Sequence, residues 1–159
     1  MKKIISVIFG LFLTTNLFAS FYNSAPSPFN PGKVIIGGGY NPMDLKKDGY
    51  KYNDDVFTGK LGYMIARDVE IAAEIEVFSK YDIIEYKIPV NYYMEMRRSP
   101  LVFFAGAYYK LGDYDEFGAQ GGIAVKLQGF GFVDVGWSQG FSSDYEDGGN
   151  LFMHINLSF

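Results

Sequence analysis

The chain has 159 residues, of which 48% are hydrophobic, 18% aromatic and 20% charged, with 19 Gly, no Cys and a formal net charge of −4. That length fits one domain. The absence of Cys excludes a disulfide scaffold, a Cys-ligated zinc site, a thiol nucleophile and a lipid-anchored amino terminus, and the acidic balance argues against nucleic acid as a partner, because phosphates are met by Lys/Arg-rich faces. Mean hydropathy near zero is too polar for a bundle of membrane helices. Yet 13 Tyr and 15 Phe are many for a soluble domain of this size.

Lys2 and Lys3 precede an apolar run from Ile4 to Leu13, followed by Thr14, Thr15, Asn16 and the small residues Ala19 and Ser20. This layout predicts a secretory signal peptide over residues 1–19, and the run falls short of the roughly 20 residues a spanning helix needs. Residues 20–32, rich in Pro, Ser and Asn, are expected to form an extended N-terminal segment.

From residue 33 onward the apolar residues alternate with period two, the signature of strands. Eight are expected: Lys33–Tyr40, Phe57–Ala66, Val69–Phe78, Asp82–Glu95, Leu101–Leu111, Phe117–Leu127, Phe130–Phe141 and Asn150–Phe159. No long window carries a helical period, so the fold class is all-β. Tight connections at Arg67-Asp68, Arg97-Arg98-Ser99-Pro100 and Gln128-Gly129 follow the even strands. Generally longer polar loops, Asn41–Val56, Ser79–Tyr81, Gly112–Glu116 and Ser142–Gly149, follow the odd ones. Short turns on one rim and longer loops on the other suit an outer-membrane β-barrel. Ten residues at about 3.3 Å each, tilted by about 40°, rise roughly 25 Å, the height of its apolar band.

Each strand has two faces. In the last one, Leu151, Met153, Ile155, Leu157 and Phe159 share one face, and Phe152, His154, Asn156 and Ser158 the other. Elsewhere the apolar face collects residues such as Ile36, Leu61, Ile75, Ile88 and Val135. The opposite face collects Lys33, Lys60, Glu70, Glu74, Glu76, Glu85, Lys87, Lys110, Gln120, Lys126 and Asp134. A soluble lipocalin-like barrel would bury the apolar face. Aromatics of that face, however, gather at strand ends: Tyr40, Phe57, Tyr109, Phe117 and Phe141 towards the loops, and Tyr63, Tyr92, Phe103 and Phe159 towards the turns. Two such rings are the interfacial girdles of a membrane barrel. The charged face is interrupted by Gly62, Gly106, Gly118, Gly122 and Gly136, as a narrow filled interior requires.

The segment from Leu151 to Phe159, alternating and ending in Phe, resembles the carboxy-terminal recognition signal of bacterial outer-membrane proteins. The chain from Lys33 is similar to small eight-stranded barrels of the OmpA transmembrane-domain and OmpX kind. The resemblance implies an eight-stranded antiparallel up-and-down transmembrane β-barrel over residues 33–159, monomeric, in the bacterial outer membrane. It implies lipid and lipopolysaccharide as surroundings, the barrel-assembly machinery as partner of the segment ending in Phe159, and a periplasmic location for residues 20–32.

Inward charges of both signs predict a polar network of Lys60, Glu74, Glu85 and Lys87 near mid-height, with Asp134 and His154 hydrogen-bonded to each other. A filled interior leaves no channel. His154 and Asp134 with Ser138 or Ser158 would compose a hydrolase triad acting on lipid or lipopolysaccharide, but parity points these serines into the lumen, away from such a substrate. The acidic stretches Asp113–Glu116 and Asp144–Asp147 lack the spacing of a calcium loop. The expectation is therefore a non-enzymatic barrel with a structural or surface-interaction role, without cofactor or metal. The alternatives are a lipid-directed enzyme and a soluble periplasmic barrel binding an apolar ligand.

Overall fold

The computed structural model describes residues 27–159 apart from 48, 49, 81, 82, 98, 112–114, 128, 129 and 142–148, with backbone alone described for 43–47 and 50–53. The expected signal peptide, the acidic stretch at 144–147 and the first half of that at 113–116 lie outside the described residues. Eight strands follow one another: β1 (Val34–Lys47), β2 (Tyr50–Ala66), β3 (Val69–Phe78), β4 (Ile84–Glu95), β5 (Leu101–Leu111), β6 (Glu116–Leu127), β7 (Gly131–Gly140) and β8 (Asn150–Ser158). Each pairs antiparallel with its sequence neighbour, and β8 returns to β1, closing the barrel. Closure leaves no sheet edge along the barrel wall, the usual liability of strands. Among the described residues no helix is long and apolar enough to cross a membrane, which says nothing of a barrel.

Two regions differ from the sequence reading. Residues 41–56 do not leave the sheet as a loop: β1 and β2 stay in register from Val34↔Tyr63 to Lys47↔Tyr50, so a two-stranded ribbon continues past the barrel rim. Nor do residues 27–32 run extended. They turn back against the mouth, Gly32 adopts a left-handed φ of 84°, and Pro28 and Phe29 are fully buried. A lone Phe between Pro28 and Pro31 has no period to read; its burial is decided by the aromatic side chains it meets.

Parity fixes what faces where. In β3 the burial alternates strictly, with Glu70, Ala72, Glu74, Glu76 and Phe78 turned inward and Ile71, Ile75 and Val77 outward. The same alternation runs through β4 and β8. The interior is thus the charged face, and the exterior is the apolar one. The turn joining β2 to β3 holds Asp68 at φ 63°, a left-handed conformation Asp tolerates better than most side chains.

Candidate functional site

The interior is stacked in layers along the barrel axis. At the turn end lies an apolar cluster: Phe29, Ile35, Met64, Tyr93, Val102 and Phe132 are buried together, with Phe104, Ala124 and Phe152 continuing it upward. Phe29 stacks on Tyr93 at 4.3 Å between ring centroids and tilts against Phe132 at 4.8 Å. The Phe29 amide donates to Ser27 Oγ (3.2 Å), and further hydrogen bonds tie the segment to the barrel. The Asp68 amide donates to the Phe29 carbonyl (3.0 Å), the Gly32 amide to the Met64 carbonyl (2.9 Å), and Ser158 Oγ to the Pro28 carbonyl (3.2 Å). Ser27 Oγ donates to Glu95, which also meets Lys126 at 3.4 Å.

Above this cluster sits Glu70. Its Oε2 accepts from Lys60 Nζ (2.9 Å), Tyr93 OH (2.7 Å) and Asn91 Nδ2 (3.1 Å), and Gln120 Nε2 extends the chain to Asn91 Oδ1 (2.8 Å). Lys60 lies directly opposite Glu74 on the β2–β3 ladder, yet its ammonium pairs with Glu70. The reason is Gly62. Glu70 Oε1 rests 2.4 Å from where a Cβ at Gly62 would stand, so the missing side chain lets Glu70 lean over the neighbouring strand to Lys60.

Glu74 instead faces Lys87, its cross-strand partner on β4, at 3.5 Å. The Lys87 ammonium also lies 4.5 Å from the Tyr108 ring centroid and 5.5 Å from that of Phe152. One level higher, Glu76 and Glu85 stand directly opposite each other, a like-charge pair that is unfavourable by itself. Lys110 Nζ resolves it, 2.9 Å from Glu76 and 2.6 Å from Glu85. Lys110 in turn opposes Lys87 on the β4–β5 ladder, which places the two cations beside different carboxylates.

On the other wall Asp134 and His154 face each other across β7–β8, with Nδ1 3.1 Å from Oδ1, and Asn156 Nδ2 donates to Asp134 Oδ2 (2.8 Å). The imidazole stacks on Phe152 at 5.0 Å. Ser158 is engaged with Pro28, and Ser138 Oγ lies 3.5 Å from the Asn150 carbonyl. All four side chains of the imagined triad are buried. Among the described residues no group of three His, Cys, Asp or Glu side chains is arranged to hold a metal.

Of the six residues singled out for the interior, the structure thus joins Glu74 with Lys87 and Asp134 with His154. It sends Lys60 to Glu70 and Glu85 to Lys110. Sequence reasoning missed Tyr93, Asn91 and Asn156 as network members and Phe29 altogether. Parity could have found the first three, since all share a face with the inward charges; nothing in the sequence marks Phe29.

On the outer face Tyr40, Phe57, Tyr109, Phe117 and Phe141 are exposed at the loop end, and Tyr63, Tyr92, Phe103 and Phe159 at the turn end. Tyr40 and Phe57 are cross-strand partners with ring centroids 5.8 Å apart. Tyr86 and Trp137 are further exposed aromatics that parity also places outward. Between the two rings the exposed surface is made of Leu61, Ile75, Ile88, Val90, Ile123 and Ile155.

Two solved structures share this architecture. Neisserial surface protein A superposes with a TM-score of 0.60 at 16% identity, over 80% of this chain and 96% of that one. The Yersinia pestis outer membrane protein Ail, determined in a phospholipid bilayer nanodisc, gives 0.53 at 15% identity, over 80% of this chain and 99% of that one. No protein-family model matches the sequence, and no curated protein does. The chain has the fold of the small eight-stranded outer-membrane barrels.

Proposed function

We propose that this protein is a monomeric, non-enzymatic β-barrel of the bacterial outer membrane, with a closed interior and a structural or surface-interaction role carried by its loop end. The observation that carries the reading is the inversion of the barrel. Its charges are buried and paired inside, while its outer face is a continuous apolar band between two aromatic rings. In water such a band would far exceed the few hundred Å² of contiguous apolar surface that soluble monomers expose. In a bilayer it is the expected lipid-facing surface. A soluble ligand-binding barrel would need the opposite arrangement. The fold shared with Neisserial surface protein A and Ail supports the same location.

In this reading the band meets acyl chains, the loop end meets lipopolysaccharide, and the turn end faces the periplasm together with residues 20–32. The alternating segment ending in Phe159 is the contact for the barrel-assembly machinery, following a signal peptide at residues 1–19. An enzyme acting on lipid would need a nucleophile at the lipid-facing surface, whereas the serines near His154 are buried and already hydrogen-bonded or enclosed.

The test is refolding the full chain with and without detergent, reading far-ultraviolet circular dichroism and comparing boiled with unboiled samples by gel. A β-spectrum and a heat-modifiable band obtained only in detergent are expected. A water-soluble β-protein without detergent overturns the reading. Planar-bilayer recordings should show no large, steady conductance, and a stable open channel would refute the closed interior.

A further inference from the structure

The apolar cluster at the turn end is unlike the rest of the lumen, and its central member does not belong to the barrel wall. Ile35, Met64, Tyr93, Val102 and Phe132 line a chamber from five different strands, and the space between them is filled by Phe29. The segment carrying Phe29 joins no strand ladder. It is held to the barrel by the Asp68, Gly32 and Ser158 hydrogen bonds and by the Ser27–Glu95 contact at the rim, and within itself by hydrogen bonds from the Phe29 and Asn30 amides to Ser27 and from the Lys33 amide to Asn30. Where it joins β1 it passes through Pro31 and Gly32, and Gly32 has a positive φ, open space on its Cβ side and its amide bonded to the Met64 carbonyl. The roof of the chamber is Glu70, whose Oε2 takes three donors while the buried Oε1 has no hydrogen-bond partner among the described residues.

We propose that this chamber is a binding site for a small phenol-like aromatic molecule entering from the turn end, and that Phe29 is its displaceable occupant. The chemistry on the walls selects the class. Tyr93 already presents one phenol to Glu70, and Phe29 lies stacked on that same ring. A ligand replacing Phe29 keeps the stack on Tyr93 and the contact with Phe132, and its hydroxyl finds an unused acceptor in Glu70 Oε1. Lys60, whose ammonium lies 5.9 Å from the Phe132 ring centroid, keeps the roof electrostatically balanced. Occupancy by Phe29 lowers the apparent affinity by the fraction of time the chamber is open. The inference rests on the barrel reading only for which compartment supplies the ligand; the chamber itself is a feature of the fold.

The probe is 4-fluorophenol, followed by fluorine NMR on the refolded barrel. Phe29→Ala should bind it at least tenfold more tightly than the wild type, with measurable binding in both. The second variant, Ser27→Cys with Glu95→Cys, keeps Phe29 in place. Because the chain has no Cys of its own, dibromobimane can bridge this pair alone. Bridging should abolish binding that the unbridged double variant retains. Three results overturn the proposal. They are a folded Phe29→Ala that binds no better, bridging without effect, and binding by Phe29→Ala alone with none by the wild type at saturating probe, which makes Phe29 a permanent filler. If Phe29→Ala does not fold, the bridged pair decides. The heat-modifiability test is read without the probe, so a detergent-dependent barrel that ignores the phenol sinks the chamber and leaves the membrane reading standing.

Discussion

At the turn end of the lumen Phe29, Tyr93 and Phe132 pack ring against ring among Ile35, Met64 and Val102. Further along the same axis Lys60, Glu70, Glu74, Lys87, Glu76, Lys110 and Glu85 set charges of both signs against each other. Both regions fill the same narrow tube, but by different physics. Apolar contact is non-directional, so the turn end can gain or lose an occupant with the walls in place. The ionic region is interlocked. Each charge there is tolerated because its partner stands within reach, and desolvation makes either one costly alone. A barrel built this way joins an apolar turn end to an ionic middle.

The largest expected effect tests the middle. Lys60→Met leaves Glu70 buried with neutral donors only, and should lower stability by about 4 kcal/mol in urea unfolding from detergent or bilayer. Adding Glu70→Gln to it should recover a large share, because the uncompensated charge then disappears. If the single change costs less than truncating Phe29, the contrast between the regions is reversed. Phe29→Ala itself should cost about 3 kcal/mol, the low end for a buried Phe, since water can reach the vacated mouth. Ile75→Lys, on the outer face, should cost about 2 kcal/mol in a bilayer. Equal tolerance of Lys at Ile75 and at inward Gln120 would mean that the faces are exchanged.

The smallest effect lies at the rim, where Asp68 neighbours Phe29 without entering the chamber. Burial, followed by the nearby Glu95 carboxylate, holds its carboxyl above the ordinary value of 3.8, with Arg67 and Lys126 opposing. An acid with a raised folded value binds its proton more tightly when folded. Its contribution to stability is therefore complete below the ordinary value and is lost as pH climbs past the raised one. Asp68→Asn, which keeps a residue suited to the left-handed turn, should flatten that dependence. At neutral pH it should add about 0.3 kcal/mol, small because the rim is screened by solvent. Unfolding midpoints of both forms from pH 3 to pH 7 would show it; a steeper dependence in the variant would be contrary.

Period two made most of the barrel legible before any coordinates. Val69–Phe78 and Leu101–Leu111 are strands over the very spans their alternation marks, and the inward set from Lys33 to Asp134 follows from parity. Parity gives a face but not a height or a partner. Register sets Lys60 opposite Glu74 while its ammonium reaches Glu70, because the absent side chain at Gly62 decides the reach. Residues 41–56 were illegible for a different reason. Past the rim neither face of a ribbon is asked to be apolar, so the alternation that identifies a strand disappears although the pairing does not. Phe29 contributes a single burial, and one residue has no period.

The seam between β1 and β8 runs from Ile35↔Ser158 to Tyr40↔Met153, and here the wall is shaped by its two remotest segments together. At Gly39 a Cβ would stand 1.9 Å from His154 Cδ2, so the imidazole occupies room that the first strand leaves vacant. The first strand is synthesised long before the histidine that needs this vacancy. Without β8, β1 has an unpaired edge, and the missing side chain at Gly39 leaves on it the room that His154 takes. The notch at Gly39 thus fits this seam to one particular side chain of the facing strand, as a mortise fits its tenon.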